Sequence, residues 1–178
     1  MDFLNELVNA AKTGLIDKSW KSKNNLQPSF VLNDFKKGQK VLTYVTNRLE
    51  LCDEFWFSAA FLTNGGVAVL QNSLKEFSRE GKKGKIFVSD YQYFTDPQAL
   101  KKISKFESVE TRLFRGQDFH GKGYLFRIGE QYDLLIGSSN LTDRALCKNE
   151  ELNIHLTLSA DSKILKDFLD IFKNSFRR

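Results

Sequence analysis

Three runs of residues typical of β-strands lie close together in the second half of the chain, and turn residues separate them. The first run, 120–126, is followed by a turn signal at Gly129 and by a second apolar run, 132–136. The third run, 150–158, alternates between polar and apolar residues, as a half-buried strand does. The first two runs predict a hairpin and the third predicts another strand, so this part of the chain is expected to form a β-sheet.

The rest of the chain predicts helices that alternate with strands. Asp96 and Pro97 form a helix start signal, an N-cap residue followed by proline at the first helical position. The pattern predicts helices at 3–12, 38–51, 67–79, 97–105, 141–146 and 162–174, and strands at 55–61, 85–89 and 109–114. Such alternation predicts an α/β sandwich, a mixed sheet with helices on both faces. The 178 residues, 41% of them hydrophobic, predict a single domain (1–178) whose first 35 residues are partly irregular.

Side chains with catalytic potential lie on these strands. His120 and Lys122 are two residues apart, so they are expected to project from the same face of the first strand. Alternation in the third strand places Glu151 on the polar side, together with Asn153 and His155. The strands therefore bring an imidazole, a cation and a carboxylate toward one place.

A turn of small polar residues, Gly-Ser-Ser-Asn at 137–140, follows the second strand and precedes a short predicted helix. Backbone N–H groups gather at a helix N-terminus, so this turn predicts an anion site. Combined with His120 and Lys122, it suits the cleavage of a phosphodiester without metal. In the alternative interpretation, Asn140 is only an N-cap, Lys122 is a solvated cation and His120 is a structural polar residue.

The combination of H-x-K with a later G-S-x-N resembles the motif of the phospholipase D-like superfamily. The matching residues are His120, Lys122, Gly137, Ser138 and Asn140. The runs 119–126, 136–142 and 148–153, together with 14–19, 52–61 and 94–97, look like the phospholipase D-like domain at the N-terminus of certain bacterial superfamily II helicases and in related restriction-type nucleases. The chain departs from the motif at its third residue, an acid, where Arg127 stands. Glu130 and Asp133 are nearby but out of register.

The resemblance implies a two-step displacement at phosphorus that uses no metal and no cofactor. His120 would attack the scissile phosphate and form a phosphohistidine, because neutral imidazole is a competent nucleophile near pH 7. Glu151 would hydrogen-bond the imidazole of His120 and orient it. The groups expected to hold the non-bridging oxygens are the backbone N–H groups of the turn and the side chains of Lys122, Asn140, Ser138 and Ser139.

A second histidine has to protonate the leaving oxygen, and the chain contains one copy of the motif. The resemblance therefore implies a homodimer with its active site at the interface, in which His120 of the second copy is the general acid. His155, the other histidine of the chain, is an alternative acid, although its place in an alternating strand favours a structural role. A metal site is a weaker alternative, because its candidate ligands lack a recognisable spacing; they are Asp118, His120, His155 and Glu151.

The net charge of +5 and the pI near 9.1 favour a polyanionic partner, with DNA as the first candidate. Arg112 and Arg115 precede His120 and are predicted to contact phosphates. Tyr91 and Tyr93 are candidates to stack on bases of a splayed strand, and core packing is the equally weighted alternative for each of them. Two further groups of cations are candidates to bind the same polyanion. The alternative is that they only form solvated helix faces. These groups are Lys75, Arg79, Lys82, Lys83 and Lys85, and Lys101, Lys102 and Lys105.

Other features bound the functional class. No apolar stretch is long enough to span a bilayer, and the N-terminus lacks the segments of a signal peptide, so we expect a cytoplasmic protein without membrane association. Cys52 and Cys147 are predicted to be free thiols. The main hypothesis is a metal-independent nuclease, with helicase motor domains in the same polypeptide as one version of it. A non-catalytic DNA-binding or dimerisation module of a helicase or restriction system is the second hypothesis, and a phospholipid phosphodiesterase is a distant third.

Overall fold

One sheet of seven strands, parallel in one half and antiparallel in the other, forms the centre of the fold. The computed structural model describes residues 5, 8, 28–115 and 119–176, with side chains described up to residue 173. The strands are β1 (Ser29–Val31), β2 (Glu54–Ala59), β3 (Lys83–Ser89), β4 (Val109–Phe114), β5 (Gly123–Ile128), β6 (Gln131–Gly137) and β7 (Asn153–Ser159). Their order is β1-β7-β6-β5-β2-β3-β4. The strands β2, β3 and β4 run parallel, and the remaining neighbours are antiparallel.

Local sequence signals determine where several helices begin. The helices are α1 (Val41–Leu51), α2 (Asn64–Arg79), α3 (Pro97–Ile103), α4 (Asp143–Cys147) and α5 (Lys163–Phe176). The hydroxyl of Thr63 accepts the N–H of Gly66 at 3.1 Å and caps α2. The carboxylate of Asp96 accepts the N–H of Gln98 at 2.8 Å and caps α3, as the Asp96-Pro97 signal predicts.

The two faces of the sheet have separate hydrophobic cores. Helices α1 to α4 cover one face, where Phe57 of β2 and Leu70 of α2 are fully buried. Helix α5 covers the other face, where Phe168 packs with Trp56 and Leu134. Because neighbouring residues of β2 point to opposite faces, the apolar run of this strand fills both cores. The prediction of an α/β sandwich with a mixed sheet is confirmed.

Predicted and observed elements differ mainly at their ends. Strand β5 begins at Gly123 rather than at 120, because its pairing with β2 begins there, and β7 begins at Asn153 rather than at 150. His120, Lys122 and Glu151 therefore lie just before strands and not within them. Residues 29–31, in a segment expected to be irregular, form the edge strand β1 against β7. The helix predicted at 3–12 falls outside the described residues, except for residues 5 and 8.

Candidate active site

Four strand ends meet at one edge of the sheet. Strand β2 ends beside the start of β5, where Ser58 pairs with Gly123. Strand β6 ends beside the starts of β5 and β7, because Ile136 pairs with Gly123 and Gly137 pairs with Asn153. The segments that flank these ends carry most of the predicted site residues. The topology of the sheet therefore brings together residues that lie far apart in the sequence.

An open depression of about 450 Å³ lies at this edge. Its lining residues are Phe61, His120, Lys122, Gly137, Ser138 and Asn140. The predicted imidazole, ammonium, hydroxyl and amide groups thus converge on one place. Phe61, which follows β2, was not among the predicted site residues, since a phenylalanine in an apolar run carries no local signal of a site.

The ammonium group of Lys122 contacts the imidazole of His120. Its Nζ lies 2.8 Å from Nδ1 and 3.2 Å from Nε2 of the ring, and it donates to the carbonyl oxygen of His120 at 2.8 Å. An ammonium group has no lone pair, so in this contact one ring nitrogen is the acceptor. The pKa of Lys122 lies below the ordinary lysine value because burial disfavours the charged form, while the Glu151 carboxylate acts in the opposite direction. A phosphate in the depression would meet both a nucleophilic nitrogen and a cationic donor.

The side-chain amide of Asn140 has a determined orientation. Its Oδ1 accepts the backbone N–H of Ala60 at 3.0 Å and that of Phe61 at 3.4 Å. Only the oxygen of an amide can accept these bonds. Asn140 lines the depression, so its NH₂ group is the part that can donate to an anion bound there.

The carboxylate of Glu151 contacts Ser138 and not His120. The hydroxyl of Ser138 donates to Oε2 of Glu151 and accepts a backbone N–H at 3.0 Å. This corrects the prediction that Glu151 hydrogen-bonds the imidazole: the residue stands before the start of β7, beside the turn that follows β6. The charge of Glu151 also raises the pKa of Lys122, in opposition to the larger effect of burial.

Ser139 points into the protein interior and not into the depression. It is fully buried, and its hydroxyl accepts Nδ2 of Asn153 at 3.0 Å. Its N–H donates to Oδ1 of Asn153 at 3.3 Å, and its carbonyl accepts the hydroxyl of Tyr124 at 2.9 Å. The prediction that Ser139 binds phosphate is therefore corrected. Neighbouring residues of extended chain point in opposite directions, so an outward Ser138 places Ser139 inside.

Asn153 and Tyr124 hold the turn and were not among the predicted site residues. Both are buried, and Asn153 also donates to the carbonyl oxygen of Val31 at 3.1 Å, which joins β1 to the turn. A buried amide requires hydrogen-bond partners. The position of Asn153 on the polar side of the alternating strand, two residues after Glu151, is the sequence signal that could have identified it.

Gly137 packs directly against the segment before β7. A Cβ at this position would overlap the carbonyl oxygen of Leu152 and the side chain of Asn153. We expect Gly137→Ala to lower the free energy of unfolding by about 1–3 kcal/mol and to reduce activity at the depression, because the turn has to shift. Thermal unfolding and phosphodiesterase rates measure the two effects.

The matched control for this variant is Gly129→Ala. Gly129 has a φ of 59°, and nothing lies within 4 Å of an added Cβ. This substitution strains the backbone by about 1 kcal/mol without displacing the turn at 137–140. Equal losses of activity in the two variants would contradict the role given to Gly137.

Comparison with known families supplies an independent observation. Residues 53–176 match the family model described as the phospholipase D-like domain of cardiolipin synthase. The chain belongs to the phospholipase D-like family. The search of curated proteins gave no match.

Solved structures share the fold of this phospholipase D-like domain at low sequence identity. NucT from Helicobacter pylori has a TM-score of 0.63 and 16% identity, over 85% of this chain and 96% of that one. Nuc from Salmonella typhimurium, a phospholipase D family member, has a TM-score of 0.60 and 17% identity, over 85% and 95%. Yeast tyrosyl-DNA phosphodiesterase has a TM-score of 0.50 and 13% identity, over 74% and 32%. These similarities show the fold.

The helix N-terminus expected to bind an anion is occupied by groups of the phospholipase D-like domain itself. Thr142, and not Asn140, caps α4, and its hydroxyl accepts the N–H of Ala145 at 3.0 Å. Asp143 adds a carboxylate in the first turn of the helix. The depression lies before this helix, around Ser138 and Asn140 of the predicted turn, and anion binding there stays a prediction.

A turn beside the depression presents aromatic side chains. The ring of Tyr91 lies 4.8 Å from the imidazole of His120, measured between ring centres. Tyr93 has a φ of 60° and is 92% exposed. Non-glycine residues rarely adopt such a backbone, and strained turns of this kind are typical of functional sites. Phe94 packs on Phe61 of the depression, with ring centres 5.5 Å apart.

Arg112 and Arg115 occupy different positions on the edge strand β4. Arg112 lies within the strand and pairs with Glu110 at 3.1 Å. Arg115 is exposed and follows the strand at the edge where β3 also ends, since the N–H of Asp90 donates to the carbonyl oxygen of Phe114. This edge also carries the depression. Phosphate contacts by either arginine stay a prediction.

Asp133, an acid close to the expected third motif position, lies inside the protein. Its carboxylate contacts Nε of Arg48 on α1 at 2.5 Å and Nε2 of His155 at 3.3 Å. His155 is 8% exposed, which is consistent with the structural role that its position in the sequence favours. Arg127, at the motif position itself, pairs with Glu54 of β2 at 3.6 Å.

The candidate metal ligands lie apart from one another. His155 contacts Asp133 beneath α1, whereas His120 lines the depression, and Asp118 falls outside the described residues. Within residues 28–115 and 119–173, no group of three or more His, Cys, Asp or Glu side chains is placed to hold a metal ion.

Proposed function

We propose that this phospholipase D-like domain is a phosphodiesterase that cleaves nucleic acid, with DNA as the first candidate, through a phosphohistidine and without a cofactor. The observation that carries the proposal is the convergence of His120, Lys122 and Asn140 on one open depression. Membership of the family supports phosphodiester chemistry in general. A nucleophile, a cation and an amide donor are the groups that displacement at phosphorus requires.

The proposed reaction has two steps. In the first, a ring nitrogen of His120 forms a bond to phosphorus while the bond to the leaving oxygen breaks, and an acid gives this oxygen a proton. Lys122 and Asn140 stabilise the negative charge on the non-bridging oxygens. In the second step, water attacks the phosphohistidine, gives its proton to the same acid, now a base, and releases the phosphate monoester and free His120.

In this proposal the acid is His120 of a second copy of the chain. The chain has two histidines, and His155 is held by Asp133 beneath α1. His120 is exposed, so a neighbouring copy can reach it. A symmetric dimer with the two depressions facing each other supplies both nucleophile and acid from a single residue.

Exposed apolar side chains next to the depression support such a dimer. Ile136 precedes Gly137, and the backbone of Leu152 contacts Gly137 from the other side. Phe30 and Ile136 flank Ile154 in the sheet. Ile136, Leu152 and Phe30, which we call the apolar rim, are 37%, 61% and 66% exposed. Contiguous apolar surface is typical of an interface.

Leu152→Glu is expected to convert the proposed dimer to a monomer and to reduce cleavage by about tenfold or more, because a charge in an apolar interface has to be desolvated. Sedimentation gives the oligomeric state, and initial rates give the activity. Leu51→Glu is the control, since Leu51 ends α1 and is 60% exposed outside the apolar rim. Full activity of a monomeric Leu152 variant would contradict the shared active site.

The surroundings of the depression support nucleic acid as the substrate. Tyr93 is almost completely exposed, and Tyr91 adjoins His120. Aromatic rings in such places stack on unpaired bases, and the net charge of +5 attracts a phosphate backbone. The name of tyrosyl-DNA phosphodiesterase assigns DNA to one protein with this fold. A cytoplasmic location, and helicase motor domains in the same polypeptide, are further parts of this hypothesis.

The two alternative functions, a phospholipid phosphodiesterase and a non-catalytic module, imply different ligands. A phospholipid phosphodiesterase would act on a membrane, and the description of the matching family model names cardiolipin synthase. No helix in the described part of the chain is long and apolar enough to cross a membrane. A DNA-binding or dimerisation module would hold a phosphate at Lys122 without turnover.

One experiment separates the three functions. The chain is incubated in excess EDTA with labelled single-stranded DNA, double-stranded DNA, RNA, or vesicles that contain phosphatidylglycerol. Metal-independent cleavage of a nucleic acid supports the proposal. Binding of DNA without cleavage would replace it with the module, and hydrolysis of lipid alone would replace it with the phospholipid enzyme.

A further inference from the structure

A groove of about 870 Å³ runs along one side of α2, between this helix and the end of α3. Its floor includes the apolar side chains of Val67 and Phe106 and the hydroxyls of Ser78 and Ser108. Its cations are Lys75 and Arg79 of α2, Lys102 of α3 and Lys105 in the turn after α3, and Glu107 is the acid among its described lining residues. We call this the α2–α3 groove. Two members of each group of cations named in the sequence analysis thus line the same groove.

The groove on the other side of α2 has the opposite charge. It lies against α1, measures about 350 Å³, and its charged lining residues in the described part of the chain are Glu50, Glu76 and Glu80. Solvated helix faces usually mix both signs of charge. Separation of the signs on two sides of one helix creates a positive potential along a single path. The charge of the α2–α3 groove is therefore complementary to that of a polyanion.

Most cations of the α2–α3 groove are available to an anion. Arg79 pairs with Glu76 of its own helix at 2.6 Å, and both side chains are more than half exposed. Lys75, Lys102 and Lys105 are exposed, and none of them has an ion pair with a described residue. An exposed pair such as that of Arg79 exchanges partners at little cost.

Helix α2 connects this groove with the depression. The N–H of Thr63, at the start of the helix, donates to the carbonyl oxygen of Leu141, the residue next to Asn140. Val67, one turn later, is the first groove residue of α2, and Arg79 is the last. At 1.5 Å per residue the two lie about 18 Å apart along the helix. This length corresponds to about five nucleotides at the spacing of about 3.4 Å that one strand has in a B-form duplex.

We propose that the α2–α3 groove binds the sugar–phosphate backbone of the nucleic-acid substrate on one side of the scissile bond. The nature of the ligand rests on the proposed function. Ammonium groups on both walls suit phosphates that repeat along a strand, and the apolar floor accommodates the sugars between them. Because an ammonium group recognises phosphate and not the base, the groove contributes affinity without sequence preference.

The test measures binding in the His120→Ala background, so that it does not depend on turnover. Fluorescence anisotropy is recorded for labelled single strands of 4 and 12 nucleotides over a range of salt concentrations. The groove variant is Lys75→Gln with Lys105→Gln. The control is Lys163→Gln with Lys166→Gln, which removes the same charge from α5 on the opposite face.

The groove variant is expected to bind the 12-nucleotide strand about tenfold more weakly, with the slope of log K against log salt reduced by about 1.4–1.8, while the control is unchanged. The 4-nucleotide strand, which fills only the depression, should bind the groove variant and the control equally. Equal behaviour of the two variants toward the 12-nucleotide strand would overturn the proposal. So would loss of binding to phosphatidylglycerol vesicles in the groove variant with DNA binding intact, because the groove would then serve a membrane. Groove-dependent DNA binding, together with a native chain that cleaves nothing, would keep the groove as a nucleic-acid site and reject the proposed enzyme.

Discussion

The His120→Ala variant is expected to cleave phosphodiesters at least about 10³-fold more slowly than the native chain, because it lacks the atom that forms the covalent intermediate. Initial rates in excess EDTA measure the loss. His120 is exposed, so the melting temperature should change little. A variant that retains a tenth of the native rate would reject the phosphohistidine.

Mixtures of this variant with the native chain test the shared active site. If each reaction uses His120 of both copies, every mixed dimer is inactive. An excess of the variant of about tenfold should then reduce the rate per native chain by about tenfold once subunits have exchanged. An unchanged rate per native chain would show that one copy suffices and that the acid lies elsewhere. Lys166→Gln in place of the variant is the control: each of its dimers retains both copies of His120, so the rate per total chain should stay that of the native protein.

The second large effect is expected at Asp133, which ties α1 to the sheet. Besides Arg48 and His155, its carboxylate accepts the hydroxyl of Thr157 at 3.1 Å. Removing it leaves a partly buried guanidinium without its partner. We expect Asp133→Ala to lower the free energy of unfolding by about 2–4 kcal/mol and the melting temperature by about 5–15 °C.

Two further variants serve as controls for the loss of stability at Asp133. Asp167→Ala removes a partner from an exposed pair, that with Lys163, and should change stability by less than about 0.5 kcal/mol. Asp133→Asn keeps the size and shape of the side chain and removes its charge. It therefore measures the effect of the charge without a change in packing if the alanine variant does not fold. A loss no larger at Asp133 than at Asp167 would contradict the network.

The contribution of Asp133 should also depend on pH. Burial raises the pKa of this carboxyl, but the hydrogen bond and charge of His155, followed by those of Arg48, outweigh burial and lower the pKa below the ordinary value of 3.8. A lowered pKa in the folded state stabilises the protein above the unfolded value. The advantage of the native chain over Asp133→Asn should therefore decline as the pH falls below about 4, where the carboxylate is protonated.

Much of the fold was predictable because it depends on local periodicity. Strand β4 has the predicted ends, and the Asp96-Pro97 signal marks the start of α3. The edge strand β1 was missed, because three residues carry little periodic signal and their strand character depends on the neighbour β7. The starts of β5 and β7 were placed too early for the same reason: a strand begins where its partner begins.

The site was predictable in its chemistry and less so in its contacts. His120, Lys122, Ser138 and Asn140 line one depression, as their joint motif implies, and their catalytic roles stay predictions. The partner of Glu151 was wrong. Its carboxylate could reach either the imidazole or the turn, and that choice depends on packing between segments and not on spacing along one strand.

The order of residues by itself determined that this chain forms a layered α/β structure and that an imidazole and an ammonium group stand two positions apart, since periodicity and spacing are properties of a continuous backbone. Only the tertiary structure decided that Ser139 faces inward and that Lys75 and Lys105 line one groove. Contacts of this kind join segments whose distance in space is set by the pairing of strands and the packing of helices, and the local pattern of either segment contains no record of that distance.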